Sequence, residues 1–133
     1  IAIDALGRNL DKNNPALENG FAITLEDASV TTSGDAFQAI EIGGTRYSHI
    51  VDPRTGLGVI GSTGVTVIAA DATTADAVAT TLSVLGPDVG CQFVDQIERC
   101  AARFIWKEDG QVRVRTTSQW PSPTTDSLQN KTK

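Results

Sequence analysis

Within eleven residues, Arg46-Tyr47-Ser48-His49-Ile50-Val51-Asp52-Pro53-Arg54-Thr55-Gly56 gathers the chain's only histidine, its only tyrosine and two arginines. An imidazole near a carboxylate and a guanidinium can move a proton and hold an anion. Thr45 to Val51 alternates like a strand, Asp52-Pro53 breaks it, and Thr55-Gly56 turns the chain. These groups are therefore expected at a sheet edge, where sites commonly lie. A single histidine on a strand is more often a satisfied structural residue, so this segment alone assigns no function.

Two further polar clusters bear on the same chemistry. Asp76 and Thr80 stand one turn apart on a helix whose stripe is Ala75, Val78, Leu82 and Leu85. Such a pair is usually a solvated face. It also offers two hard oxygens to a small divalent cation such as Mg²⁺, which takes few protein ligands and completes its shell with water and phosphate oxygens. Through such a cation, an acidic protein can hold a pyrophosphate. In Thr31-Thr32-Ser33-Gly34-Asp35, the glycine lets backbone approach a ligand, though the stretch also reads as a plain turn.

The elements that must position these groups follow from the order of patterns. Ile1 to Ile3 reads as a short strand, and Asp4 to Gly20, punctuated by Asn14-Pro15 and Asn19-Gly20, as a surface loop. Phe21, Ile23 and Leu25 alternate as a strand; Val30 to Thr32 is extended; Phe37 to Ile42 resumes strand character. Gly43-Gly44 predicts a hairpin turn into the histidine strand. A glycine-rich loop (Gly58, Gly61, Gly64) then leads to a buried strand, Val65 to Ala70. Asp71 predicts the N-cap of a helix from Ala72 to about Leu85, ended by Gly86-Pro87. A second helix follows, with Phe93, Val94 and Ile97 on one face. Ala101 to Trp106 and Val112 to Thr116 pair across Asp109-Gly110. The expected fold class is α+β, a mainly antiparallel sheet with two consecutive helices packed on it. Residues 1–117 form the body and 118–133 a flexible polar tail.

Composition narrows the function classes. At 133 residues the chain is one domain or part of one, and can bury roughly two thirds of its unfolded surface. A net charge of −5 gives no basic footprint for nucleic acid. No apolar run is expected to reach membrane-spanning length. Cys91 and Cys100 lack the further Cys or His of a zinc signature and are read as buried thiols, with a disulfide as the alternative. The first residue is Ile1, and the chain reads as a fragment or a processed form.

Taken together, the three clusters resemble the ApbE family of FAD:protein FMN transferases. The residues that carry the likeness are Thr32-Ser33-Gly34-Asp35, the Arg46-Tyr47-Ser48-His49-Ile50-Val51-Asp52-Pro53-Arg54-Thr55-Gly56 run, Val65 to Ala69, Thr74 to Thr80 and Val84-Leu85-Gly86-Pro87. The resemblance implies a Mg²⁺-dependent enzyme that moves FMN from FAD onto a threonine of an acceptor protein and releases AMP. By motif position, Asp76 and Thr80 look like metal ligands, His49 the general base and Ile50 a flavin-pocket residue. Thr32, Ser33 and Asp35 are expected to line the same cleft. Asp52 is expected to orient His49, and Arg54 to hold Asp52 or a phosphate. The resemblance further implies a periplasmic or membrane-anchored protein with a lipid anchor upstream.

The family's domain is about twice as long as this chain, by the same resemblance. Its N-terminal half, which supplies much of the flavin pocket, is expected to precede Ile1 and to be a required partner. Leu57-Gly58-Val59 stands where many members carry a proline-containing turn. Two alternatives use the same residues: metal-dependent hydrolysis of FAD to FMN and AMP, and a non-catalytic half that binds flavin only with its N-terminal partner segment.

Overall fold

A computed structural model gives the fold over residues 2–3, 21–34, 38–61 and 63–122. The expected Asp4–Gly20 loop, Asp35, Phe37 and the tail beyond residue 122 lie outside the described residues. In chain order the elements are β1 (Ala2–Ile3), β2 (Phe21–Ala22), β3 (Ser29–Gly34), β4 (Ala39–Ile42), β5 (Thr45–Asp52) and β6 (Leu57–Ile60). There follow β7 (Thr63–Ala69), the helix α1 (Ala72–Val94), β8 (Ala101–Glu108) and β9 (Gln111–Thr116). Every described pairing is antiparallel: a sheet in the order β3-β7-β8-β9, a sheet β4-β5-β6, and the short pair β1-β2. The α+β class with antiparallel sheets is thus observed.

Two turns follow the local chemistry read from sequence. Gly43 and Gly44 take φ values of 58° and 79°, the left-handed positions of a two-residue hairpin, and join Ile42 to its partner Thr45. Asp109 and Gly110 do the same between Glu108 and Gln111. Two other expectations change. Leu57–Ile60, read as glycine-rich loop, is a strand paired with β5. The strand at Phe21 stops at Ala22 and does not reach Leu25.

The helix starts where Asp71 accepts the Thr74 N–H at 2.9 Å and the Thr74 hydroxyl at 2.8 Å, satisfying a donor of the first turn. Among the described residues there is one helix where two were expected, kinked at Gly86 (φ 74°, ψ 175°). Pro87 has no N–H to return to the preceding turn, and glycine alone adopts that φ without strain, so the break falls where those two residues put it. Beyond the kink, Asp88 pairs with Arg115 of β9. By length and composition Ala72–Val94 could span a membrane, contrary to the sequence expectation. Its apolar stripe, however, lies against the sheet as a core helix does.

That packing forms the main core. Ala75, Val78, Ala79, Leu82 and Val94 of α1 meet Val65, Val67 and Ala69 of β7 and Ala102 and Phe104 of β8. Leu82, Phe104, Val65 and Val67 are wholly buried, each worth about 1.5–3 kcal/mol relative to exposure. On the other face of the four-stranded sheet, Ile23 and Ile68 pack with Leu25, Val30 and Trp120. Ser118 donates to Asp95 (2.9 Å from its hydroxyl), so the first residues after Thr117 pack back on the body.

Candidate active site

Three elements carry the candidate residues, and α1 connects them: it packs against β3 and β7 and also touches β5. β3 holds Thr32 and Ser33, β5 holds His49 to Asp52, and α1 holds Asp76 and Thr80.

His49 sits on an irregular stretch of β5. In the β5–β6 register, Tyr47 faces Ile60 and Val51 faces Gly58, so Ser48, His49 and Ile50 stand opposite the single residue Val59. A bulge of this kind bends the strand and re-aims its side chains. On the β4 side the pairing is regular: the His49 N–H donates to the Gln38 carbonyl at 3.1 Å. The imidazole Nδ1 lies 3.1 Å from the same oxygen. A carbonyl only accepts, so Nδ1 carries a proton, and in the neutral ring Nε2 is the nitrogen left with a lone pair. The His49 side chain is exposed, whereas its neighbours Ser48 and Ile50 are buried.

Asp52 has a different duty from the one expected. Its carboxylate takes the Arg54 guanidinium in a fork, at 2.9 and 3.2 Å from Nε and 2.7 Å from Nη2, and the Arg54 N–H at 2.9 Å. The Arg54 side-chain hydrogen bond, then the Arg54 backbone N–H, hold the Asp52 carboxyl below its ordinary pKa. The Asp52 carbonyl also accepts from the Thr55 and Gly56 N–H groups. Asp52 therefore organises the turn after β5, and the ring of His49 is oriented by Gln38. Arg54 holds Asp52, the first of the two roles weighed for it. Ile50 is buried, with its N–H donated to the Ser48 Oγ at 3.1 Å.

Thr32 and Ser33 do not share a side. Strand residues alternate between faces, and Thr32 Oγ1 lies 3.0 Å from Thr66 Oγ1, opposite the Val65 and Val67 side chains that meet the helix. Ser33 is on the helix side. Asp35 lies outside the described residues.

Asp76 and Thr80 are exposed on α1, at the flank of its buried stripe. Thr81 donates to the Ala77 carbonyl and Ser83 to the Ala79 carbonyl, each closing onto its own helix. Among the described residues, the Asp76 carboxylate and the Thr80 hydroxyl have no such partner. Also among the described residues, no three His, Cys, Asp or Glu side chains converge as a metal site. One carboxylate and one hydroxyl are hard oxygen donors that fit Mg²⁺, provided most of its shell comes from water and phosphate.

A sequence profile of the ApbE family matches residues 5–104. The chain belongs to the ApbE family. The FAD:protein FMN transferase of Escherichia coli K12 is 33% identical over 119 residues, covering 89% of this chain and 33% of that protein. That of Treponema pallidum is 32% identical over 109 residues, covering 81% and 29%. Among solved structures, the apo flavinyl transferase ApbE of Pseudomonas stutzeri superposes with a TM-score of 0.68 at 31% identity, covering 89% of this chain and 34% of its own. The flavin transferase ApbE of Vibrio cholerae gives a TM-score of 0.58 at 34% identity, covering 68% and 28%. The chain thus spans about a third of the length of the ApbE proteins it matches.

Gln38 is not among the residues named from sequence, and Ser48 and Gly58 are named there without a role of their own. A serine two residues before a buried N–H is a known local bonding pattern. A lone glycine between Leu57 and Val59 is the usual mark of a close backbone approach. Both signals were present in the sequence.

Proposed function

We propose that this chain is the part of an FAD:protein FMN transferase that holds the general base and the cation ligands. The reaction moves FMN from FAD onto a threonine of an acceptor protein and releases AMP. The observation that carries the reading is that α1, with Asp76 and Thr80, packs against both the strand of His49 and the strand of Ser33. The names of the relatives support the reaction class, and the donor chemistry supports a magnesium-dependent one.

In this reading the threonine hydroxyl attacks the FMN phosphorus of FAD. His49 Nε2 takes the hydroxyl proton as the new P–O bond forms, while Gln38 holds Nδ1–H and keeps the other nitrogen available. The bond from that phosphorus to the bridging oxygen breaks, and the oxygen leaves on AMP. Mg²⁺ on Asp76 and Thr80 would neutralise diphosphate charge. Ile50 backs the flavin pocket. Arg54, tied to Asp52 through Nε and Nη2, keeps Nη1 for a phosphate oxygen. Export and lipid anchoring upstream belong to the same proposal.

The test is transfer of flavin fluorescence onto an acceptor protein by the full-length enzyme with FAD and Mg²⁺. Asp76→Ala is expected to abolish labelling; undiminished labelling would remove the metal role. His49→Ala is expected to retain FAD binding and lose transfer. AMP release at full rate with no acceptor present would favour hydrolysis of FAD.

A second reading, a half that binds flavin only with the rest of its domain, is favoured by an open apolar face. Ile40, Ile42 and Ile60 lie on one side of the β4-β5-β6 sheet and are 61–63% exposed. Titration of FAD with these 133 residues alone, then with the remainder supplied in trans, separates the two. Tight binding by the chain alone rules this second reading out.

A further inference from the structure

Successive N–H groups of a strand point to opposite edges. The His49 N–H goes to Gln38 on the β4 edge, so the Ile50 N–H faces β6. There the bulge sets three residues against one, and Ile50 bonds the buried Ser48 hydroxyl at 3.1 Å instead. The β6 strand comes close at the same place. A Cβ on Gly58 would lie 2.4 Å from the Ser48 carbonyl oxygen and 3.2 Å from the Tyr47 Cβ. Both features act on the residue immediately before His49.

We propose that Ser48 and Gly58 are positioning residues for His49. The hydroxyl of Ser48 satisfies the N–H that the bulge detaches from the ladder, and the bare Cα of Gly58 lets β6 close over it. Together they fix the backbone from which the imidazole reaches the Gln38 carbonyl, which sets the tautomer with Nε2 free. The inference rests on the reading of His49 as the base. It adds a cause for the ring's orientation that the reading itself does not require.

Because His49 is the only histidine, ¹⁵N-histidine labelling of this chain gives one pair of ring signals. The unaltered chain is expected to show the neutral Nδ1–H tautomer, and a dominant Nε2–H tautomer would overturn the proposal even if every variant failed to fold. Ser48→Ala and Gly58→Ala are each expected to shift the ring toward mixed tautomers, with Ser48→Thr, which keeps the hydroxyl, restoring the original pattern. In the full-length transferase, the two alanine variants are expected to lower kcat by about 10²-fold, the loss typical of a group displaced by ~1 Å, with KM for FAD unchanged. An unchanged tautomer and kcat in folded Ser48→Ala would refute the positioning role. If instead His49→Ala retains full transfer, the base reading fails on its own account, and the ring signals still decide whether Ser48 and Gly58 set the tautomer.

Discussion

Gly90 lies on the arm of α1 beyond the kink, against two wholly buried side chains. A Cβ there would stand 2.7 Å from Phe104 Cζ and 3.1 Å from Leu82 Cδ2. Alanine within a helix gains about 1 kcal/mol over glycine. Overpacking a filled core opposes this by about 1–3 kcal/mol. The first contact is shorter than carbon atoms tolerate and the ring has no exposed side to retreat to, so packing is expected to win. Gly90→Ala should destabilise the chain by about 1 kcal/mol, or about 3–5 °C in Tm. The decisive assay is a double-mutant cycle with Phe104→Leu by urea unfolding. Leucine withdraws the ring edge, so Gly90→Ala in that background should be neutral or stabilising, with a coupling of about 1 kcal/mol or more. A stabilising Gly90→Ala with no coupling would show that the ring does not press on this helix, and the account of how the second arm docks would fail.

The pair of Asp52 and Arg54 gives a pH signature. A carboxyl whose folded pKa is depressed contributes stability that is present above its unfolded value, about 3.9, and is lost as pH falls through the folded value. The stability difference between the chain and its Asp52→Asn variant should therefore be constant near pH 7 and shrink below pH 4, measured by urea midpoints across that range. The thiols make a third prediction. Burial raises the pKa of both Cys91 and Cys100, so both should react slowly with a thiol reagent at pH 7.5 in the folded chain, and two equivalents should appear on denaturation. Prompt reaction of Cys100 in the native chain would contradict its burial.

What was legible in the sequence was whatever is decided within a few residues. Gly43-Gly44 and Asp109-Gly110 announced their hairpins because left-handed φ values are local needs. Asp71 announced the helix because its carboxylate answers donors three residues on. Gly86-Pro87 marked the break, but whether the helix ends there or bends depends on what receives its second arm, and Phe104 and Arg115 are distant in sequence. β6 reads as loop because a glycine among glycines suggests a turn as readily as a close approach, and only the pairing with β5 shows that Gly58 is bare against the Ser48 carbonyl. The His49 segment was found by residue type. Its bulge, and the Gln38 carbonyl that orients the ring, arise from pairing between strands and leave no local mark. Thr32 and Ser33 were grouped as neighbours in sequence, and simple alternation along the strand was enough to part them.

The bend at Gly86 divides labour along a single rod. Its leading turns carry Asp76 and Thr80 on an exposed flank, while its trailing turns reach the far strands through Asp88 and Arg115. Because the two arms meet at Gly86, substitutions that weaken the packing of the second arm are expected to erode folding while leaving the exposed flank of the first arm in place. Fold stability and the proposed cation site can then be varied separately, each from its own end of the same helix.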